Sequence, residues 1–164
     1  MAEEITMRAK KAQTRTIIPD LKYKSVKVAK LINYVMKDGK RSVAQKQVYL
    51  ALEALATKTN KKVLDVFDEV LRTVTPQMEV RSRRVGGAAY QIPMPVRGKR
   101  GFALALRWMV QEARKRSNKS YHSFAEKLTA EMLDILNNQG GAIQKRDSSH
   151  RMAESNKAFA HFRW

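Results

Sequence analysis

The run Asp147-Ser148-Ser149-His150 sets a carboxylate, two hydroxyls and an imidazole side by side, the groups from which hydrolytic relays are made. Neighbours along a helix point in different directions, and relay members converge from separate parts of a fold, so this run cannot pass a proton along a line. His122, His150 and His161 lack metal-ligand spacing and have no acidic or cysteine companions. Each is expected at the surface or against a bound partner. The chain has no cysteine, which removes thiol chemistry, disulfides and cysteine-based zinc sites. The run Gly86-Gly87-Ala88 precedes no helix and cannot serve as a phosphate-cradling loop. No catalytic centre, cofactor, metal site or small-molecule substrate is expected.

The chemistry that remains belongs to cations. RSRRVGGAAYQIPMPV, at 81–96, opens with Arg81, Arg83 and Arg84 and turns at two glycines. Gly86-Gly87 between Val85 and Ala88 suits a two-residue hairpin of type I′, which needs positive φ at both central positions. Counting outward pairs Arg83 with Tyr90, Ser82 with Gln91, Arg81 with Ile92 and Val80 with Pro93. Hydrogen-bonded pairs alternate with non-bonded ones, so Pro93 and Pro95 fall where no N–H is needed and further strands are blocked. One face then carries Arg81, Arg83, Tyr90 and Ile92, the other Ser82, Arg84 and Gln91. Both faces are expected to stay basic, with Tyr90 available to stack: an arm laid on phosphate.

A second set lies on the helix expected to follow. Arg100, Arg107, Gln111 and Arg114 fall within about 60° of one another at helical spacing. Lys115, Arg116 and Lys119 extend the stripe. Thirty-three Lys and Arg against fifteen Asp and Glu leave a net charge of +18. Half of it, +9, sits between residues 77 and 119. Such clustering points to a polyanionic partner, most commonly nucleic acid. No apolar run is long enough to span a membrane.

The cations need supports: residues 1–19 are expected to form a basic extended arm carrying Arg8, Lys10, Lys11 and Arg15, and 20–164 a single helical domain. The spacing predicts a helix from about Ser25, with Val28, Ile32, Val35 and Met36 inward and Gly39 as a left-handed cap. Ser42 and Gln45 fit a capping box for a second helix with Ala44, Val48, Ala51, Leu52 and Leu55 inward. Asn60 is placed to cap a third, with Leu64, Phe67, Leu71 and Val74 inward, closed by Pro76. The ribbon covers about 77–96. Helices follow at about Lys99–Arg116, with Phe102, Leu106, Met109, Val110 and Ala113 inward and Trp108 at the core edge, and at about Ser120–Asn138, with Phe124, Leu128, Met132, Ile135 and Leu136 inward. A weaker helical pattern covers about Ala142–Asn156, within a basic C-terminal segment of about 142–164. The fold class is therefore mainly α: a bundle of about six helices with a protruding two-stranded antiparallel β-ribbon between the third and fourth.

DGKRS after the first helix, VRSRRVGGAAYQIPMPV, ALRWMVQEARKR and the ending HRMAESNKAFAHFRW together resemble the bacterial small-subunit ribosomal protein seven family, over about Ile18 to Trp164. The resemblance implies a non-enzymatic, cytoplasmic protein of the ribosome. It implies primary binding to 16S rRNA, which nucleates the 3′ major domain of the subunit head. It also implies a ribbon near the exit-site tRNA and the mRNA path, with small-subunit proteins nine and eleven as neighbours. Carried onto this chain, the ribbon set is Arg81, Arg83, Arg84, Val85, Gly86, Gly87 and Tyr90. The rRNA-facing set is Arg8, Lys10, Lys11, Arg15, Lys22, Lys24, Lys37, Lys40, Arg41, Arg97, Lys99, Arg100, Arg107, Arg114, Lys115, Arg116, Lys119, Lys145, Arg146 and Arg151. Glu3 and Glu4 depart from the family's basic start, and Gln47 replaces an aliphatic residue. Two other readings fit the charge. An architectural DNA-binding protein would use the ribbon in a minor groove, but such arms carry an apolar wedge, and the tip here is Val-Gly-Gly-Ala. A translational repressor would bind an mRNA that imitates the rRNA site.

Overall fold

The computed structural model describes residues 16–162, so Arg8, Lys10, Lys11, Arg15 and Trp164 lie outside the described residues. Six α-helices appear there in the order α1 Val26–Val35, α2 Arg41–Thr59, α3 Val63–Val74, α4 Gly98–Lys115, α5 Phe124–Leu136 and α6 Gly141–Ser155. Strands β1 Met78–Val85 and β2 Ala88–Pro95 stand between α3 and α4, and a 3-10 turn, Lys157–Phe162, follows α6. The helical turn after α6 was not expected from the sequence, because six residues are too few to show a period.

The apolar stripes meet in one core. Val28, Ile32, Ala44, Val48, Leu52, Leu55, Phe67, Val74, Leu106, Met109, Leu128, Met132 and Ile135 are all buried in it. Burying each large side chain contributes about 1.5–3 kcal/mol, which is what holds helices of modest intrinsic propensity in place. Helix α5 lies against α2, α3, α4 and α6. Met36, Phe102, Phe124, Leu136 and Trp108 pack at its margin, partly buried. Leu64, expected inward, is 38% exposed, because Val63, Val66 and Val70 complete the inward stripe of α3 instead.

The helix ends differ from the sequence reading in three places. Gly39 does not cap α1, whose C-cap is Met36. With Asp38 at φ 52° and Gly39 at φ 71°, it builds a separate turn closed by Lys40 N–H donating to Lys37 O at 2.9 Å. The Ser42–Gln45 capping box is absent, since α2 starts at Arg41 with no side-chain cap and the Gln45 amide donates to Tyr49 Oη at 2.6 Å. Asn60 ends α2 in the left-handed region instead of starting α3. The side-chain cap sits elsewhere. Ser123 Oγ accepts the Glu126 N–H at 3.2 Å while Glu126 Oε2 accepts the His122 N–H at 2.9 Å. That is why α5 begins later than its apolar pattern suggested, and the His122 N–H holds the Glu126 carboxyl below its ordinary range.

Charge also reaches the interior. Glu131, 2% exposed, accepts from Arg116 Nη2 at 2.6 Å and from the first-turn N–H of Ala142 at 3.0 Å. One carboxylate thereby joins the end of α4, the middle of α5 and the start of α6. Both carboxylate oxygens find a donor, which is what burial of such a group requires.

Candidate nucleic-acid interface

The ribbon register pairs Arg83 with Tyr90, Ser82 with Gln91, Arg81 with Ile92, Val80 with Pro93 and Met78 with Pro95. Gly86 at φ 58° and Gly87 at φ 88° make the turn. Each follows from the turn chemistry and the proline positions. The faces do not. Ile92 is fully buried and Pro93 is buried too, so the lower half of the ribbon is part of the body. Tyr90 is half-buried, with its ring centroid 5.3 Å from Phe159 and 5.3 Å from Phe162 of the 3-10 turn. It is therefore occupied by the chain's own aromatics and not held out for a base. A two-stranded ribbon is marginal alone in water, and this contact relieves that weakness.

Glu79 fastens the ribbon from the other side. It is 7% exposed and accepts from Arg81 Nε at 2.8 Å and from Arg100 Nε at 2.6 Å. Arg81 and Arg100, both expected to face phosphate, thus share a carboxylate between β1 and α4. Gln77 N–H donates to His150 Nε2 at 3.0 Å and Ser149 Oγ to Met78 O at 3.2 Å, so α6 holds the root of β1. His150 and Ser149 of the hydrolase-like run have structural work. Beyond this fastening, Arg83, Arg84, Gly86 and Gly87 are exposed at the tip, and Val85 is half-exposed.

On α4 the four stripe residues Arg100, Arg107, Gln111 and Arg114 are all exposed. Gln111 Oε1 accepts from Lys145 Nζ at 2.8 Å, and Arg114 donates to Val35 O at 3.0 Å, closing the free carbonyl end of α1. Arg116 does not extend the stripe. Its side chain is 18% exposed and bonds Glu131 and Asp134. Burial opposes its charge, but the hydrogen bonds it donates to Asp134 and Glu131 push the guanidinium pKa up. Lys115 and Lys145 pair with Glu112 at 2.9 Å each, and Arg146 donates to Thr73 O at 2.6 Å. Lys22 pairs with Glu53 on α2 and sits over the Tyr49 ring. Apart from Glu112, three residues from Lys115, these partners lie far off in sequence, which is why the other cations had seemed free.

Lys24, Lys37, Lys40, Arg41, Arg84, Arg97, Lys99, Arg107, Lys119 and Arg151 are exposed and form no ion pair among the described residues. Two depressions gather cations from separate elements. One is lined by Lys27, Lys30, Lys99 and Phe102, joining α1 to α4. The other is lined by Lys37, Lys40 and Arg114. Lys27 and Lys30 were missed in the sequence, although they recur on the face of α1 opposite its apolar stripe; Lys30 lies 5.1 Å over the Phe102 ring. Gln47 is hydrogen-bonded, its Oε1 accepting the Ala125 N–H at 2.9 Å. No group of acidic or histidine residues suited to a metal occurs among the described residues, and no helix there is long and apolar enough to cross a membrane.

A helical body bearing a fastened basic ribbon and an exposed cationic helix face defines a protein shaped to meet a polyanion. Residues 7–157 match the family Ribosomal protein S7p/S5e. A protein of Caldanaerobacter subterraneus subsp. tengcongensis, "Small ribosomal subunit protein uS7", is 55% identical over 150 residues, covering 92% of this chain and 94% of its own. Proteins of the same name from Vibrio vulnificus and Xanthobacter autotrophicus are 55% identical over 150 residues and 50% identical over 157. They cover 92% and 96% of this chain, and 94% and 99% of their own. The chain belongs to the ribosomal protein S7p/S5e family and is a structural constituent of the small ribosomal subunit.

Proposed function

We propose that this protein is a primary binder of 16S rRNA that nucleates the 3′ major domain of the subunit head. Its body anchors on rRNA while its ribbon tip borders the exit-site tRNA and the mRNA path. Small-subunit proteins nine and eleven are its proposed protein neighbours and the cytoplasmic ribosome its place. The observation that carries the reading is the division between two sets of cations. Lys37, Lys40, Lys99 and Arg107 lie on α4 and the α1–α2 loop, exposed and without an ion pair among the described residues, whereas Arg83 and Arg84 stand at the end of the ribbon. The first set suits phosphates of a folded junction, with release of counterions and recognition by shape. The second is held out by a fastening at Glu79 and Tyr90 that leaves the tip accessible.

The test is equilibrium binding to a folded fragment of the 3′ domain, titrated with salt, against duplex DNA as competitor. Tight RNA binding that survives the competitor is expected. Equal affinity for both polymers, lost together as salt rises, would return the protein to a general polyanion binder. An apolar wedge, which minor-groove proteins insert, is missing from the exposed Gly86-Gly87 tip.

A further inference from the structure

The depression between the α1–α2 turn and the start of α5 has a composition that phosphate binding alone does not explain. Its volume is about 290 Å³, and its lining is Val35, Val43, Ala44, Gln47 and Phe124 with Lys37, Lys40 and Arg114. Four of the five uncharged residues are apolar, and no acid is among them. Asp38 lies in the same turn but does not line the depression. A phosphate needs only the cations. An apolar floor beneath them fits a ligand with a flat, poorly hydrated part attached to an anion.

Gln47 adds selectivity. Its Oε1 is taken by the Ala125 N–H at 2.9 Å, which fixes the amide and leaves Nε2 as the hydrogen-bond donor. A fixed NH2 donor group in an apolar setting matches an acceptor on the edge of a nucleobase, such as a carbonyl oxygen or ring nitrogen. Proteins read RNA sequence chiefly through unpaired nucleotides whose bases are splayed out and stacked or inserted. We propose that this depression receives one unpaired rRNA nucleotide, its base on Val35, Val43 and Phe124 and against Gln47 Nε2, its phosphate held by Lys37 and Lys40. This rests on the rRNA-binding reading and specifies which kind of nucleotide the α1–α2 turn meets.

Two substitutions test it in the full-length protein bound to the folded 3′-domain fragment. Gln47→Glu keeps an acceptor for the Ala125 N–H but replaces the donor with negative charge. Val43→Trp, at a position 58% exposed, fills the depression without entering the core. Thermal melting checks that both variants fold. Chemical probing of base edges in the complex is then compared with wild type. Expected is one unpaired nucleotide protected by wild type and exposed by both variants, other protections unchanged, and affinity lowered about tenfold, as for loss of a stacked base. Unchanged protection and affinity in both folded variants would overturn the nucleotide pocket, including where a neighbouring protein fills the depression. If wild type itself shows no specific binding to the fragment, the broader rRNA reading fails first, and the two failures are separable.

Discussion

Tyr90 on β2 and Phe159 in the C-terminal 3-10 turn meet with ring centroids 5.3 Å apart and planes inclined by 51°, so the end of the chain holds the middle of the ribbon. Tilted aromatic pairs contribute about 0.5–1.5 kcal/mol beyond the area they bury. A double-mutant cycle with Tyr90→Ala and Phe159→Ala should show coupling of that order in urea unfolding. Additive effects would mean that the rings are neighbours without mutual stabilisation.

Gly101, buried near the first turn of α4, should resist substitution. A Cβ built there falls 2.9 Å from Thr75 Cγ2 and 3.5 Å from Val96 Cγ1. Thr75 ends α3 and Val96 follows β2, so Gly101→Ala would push α4 from the ribbon's root. Overpacking of this kind costs about 1–3 kcal/mol, and a melting temperature equal to wild type would show that the root yields freely.

Acid should loosen the join between α4 and α6. Burial alone would raise the Glu112 carboxyl, but hydrogen bonds from Lys115 and Lys145 win and hold it below 4.5. A lowered folded pKa gives stability that is complete above the unfolded value and is lost as pH falls through the folded one. The stability gap between wild type and Glu112→Gln should therefore be full at neutral pH and shrink below pH 4.5. A gap independent of pH would assign the effect to packing.

Arg107→Ala should weaken rRNA binding and lower the slope of log affinity against log salt by about 0.9, the value for one phosphate on a duplex. The residue is exposed and has no ion pair among the described residues, so folding should be unaffected. If affinity and slope both stay the same, the α4 stripe is ordinary solvated surface.

Arg83→Ala combined with Arg84→Ala should leave primary rRNA affinity near wild type and alter retention of deacylated tRNA in reconstituted subunits. The tip is separated from the α4 stripe by the fastened half of the ribbon, which is why the two functions should part. Loss of rRNA affinity in the double variant would make the arm an anchor.

Much of this architecture was legible before any coordinates. Residues near in sequence fix helix stripes such as Ala44, Val48 and Leu52, and turn chemistry at Gly86-Gly87 fixes the register that brings Arg83 opposite Tyr90. These are local effects of period and of allowed φ, and they need no tertiary partner. Which cations stay outside was not local. Arg116 and Arg107 look alike in sequence, yet Arg116 turns to Glu131 and Asp134, 15 and 18 residues away, while Arg107 remains exposed. Tyr90 looked free for a base until the fold brought Phe159 and Phe162 to it. Helix caps failed for a related reason: Ser42, Gln45 and Asn60 have the right types, but core packing sets where each helix starts. The sequence by itself determined the six α-helices, the ribbon register and the sign of the partner's charge. Only the tertiary structure decided which charges are paired inside and which are left exposed, because an ion pair depends on distance in space and not on spacing along the chain.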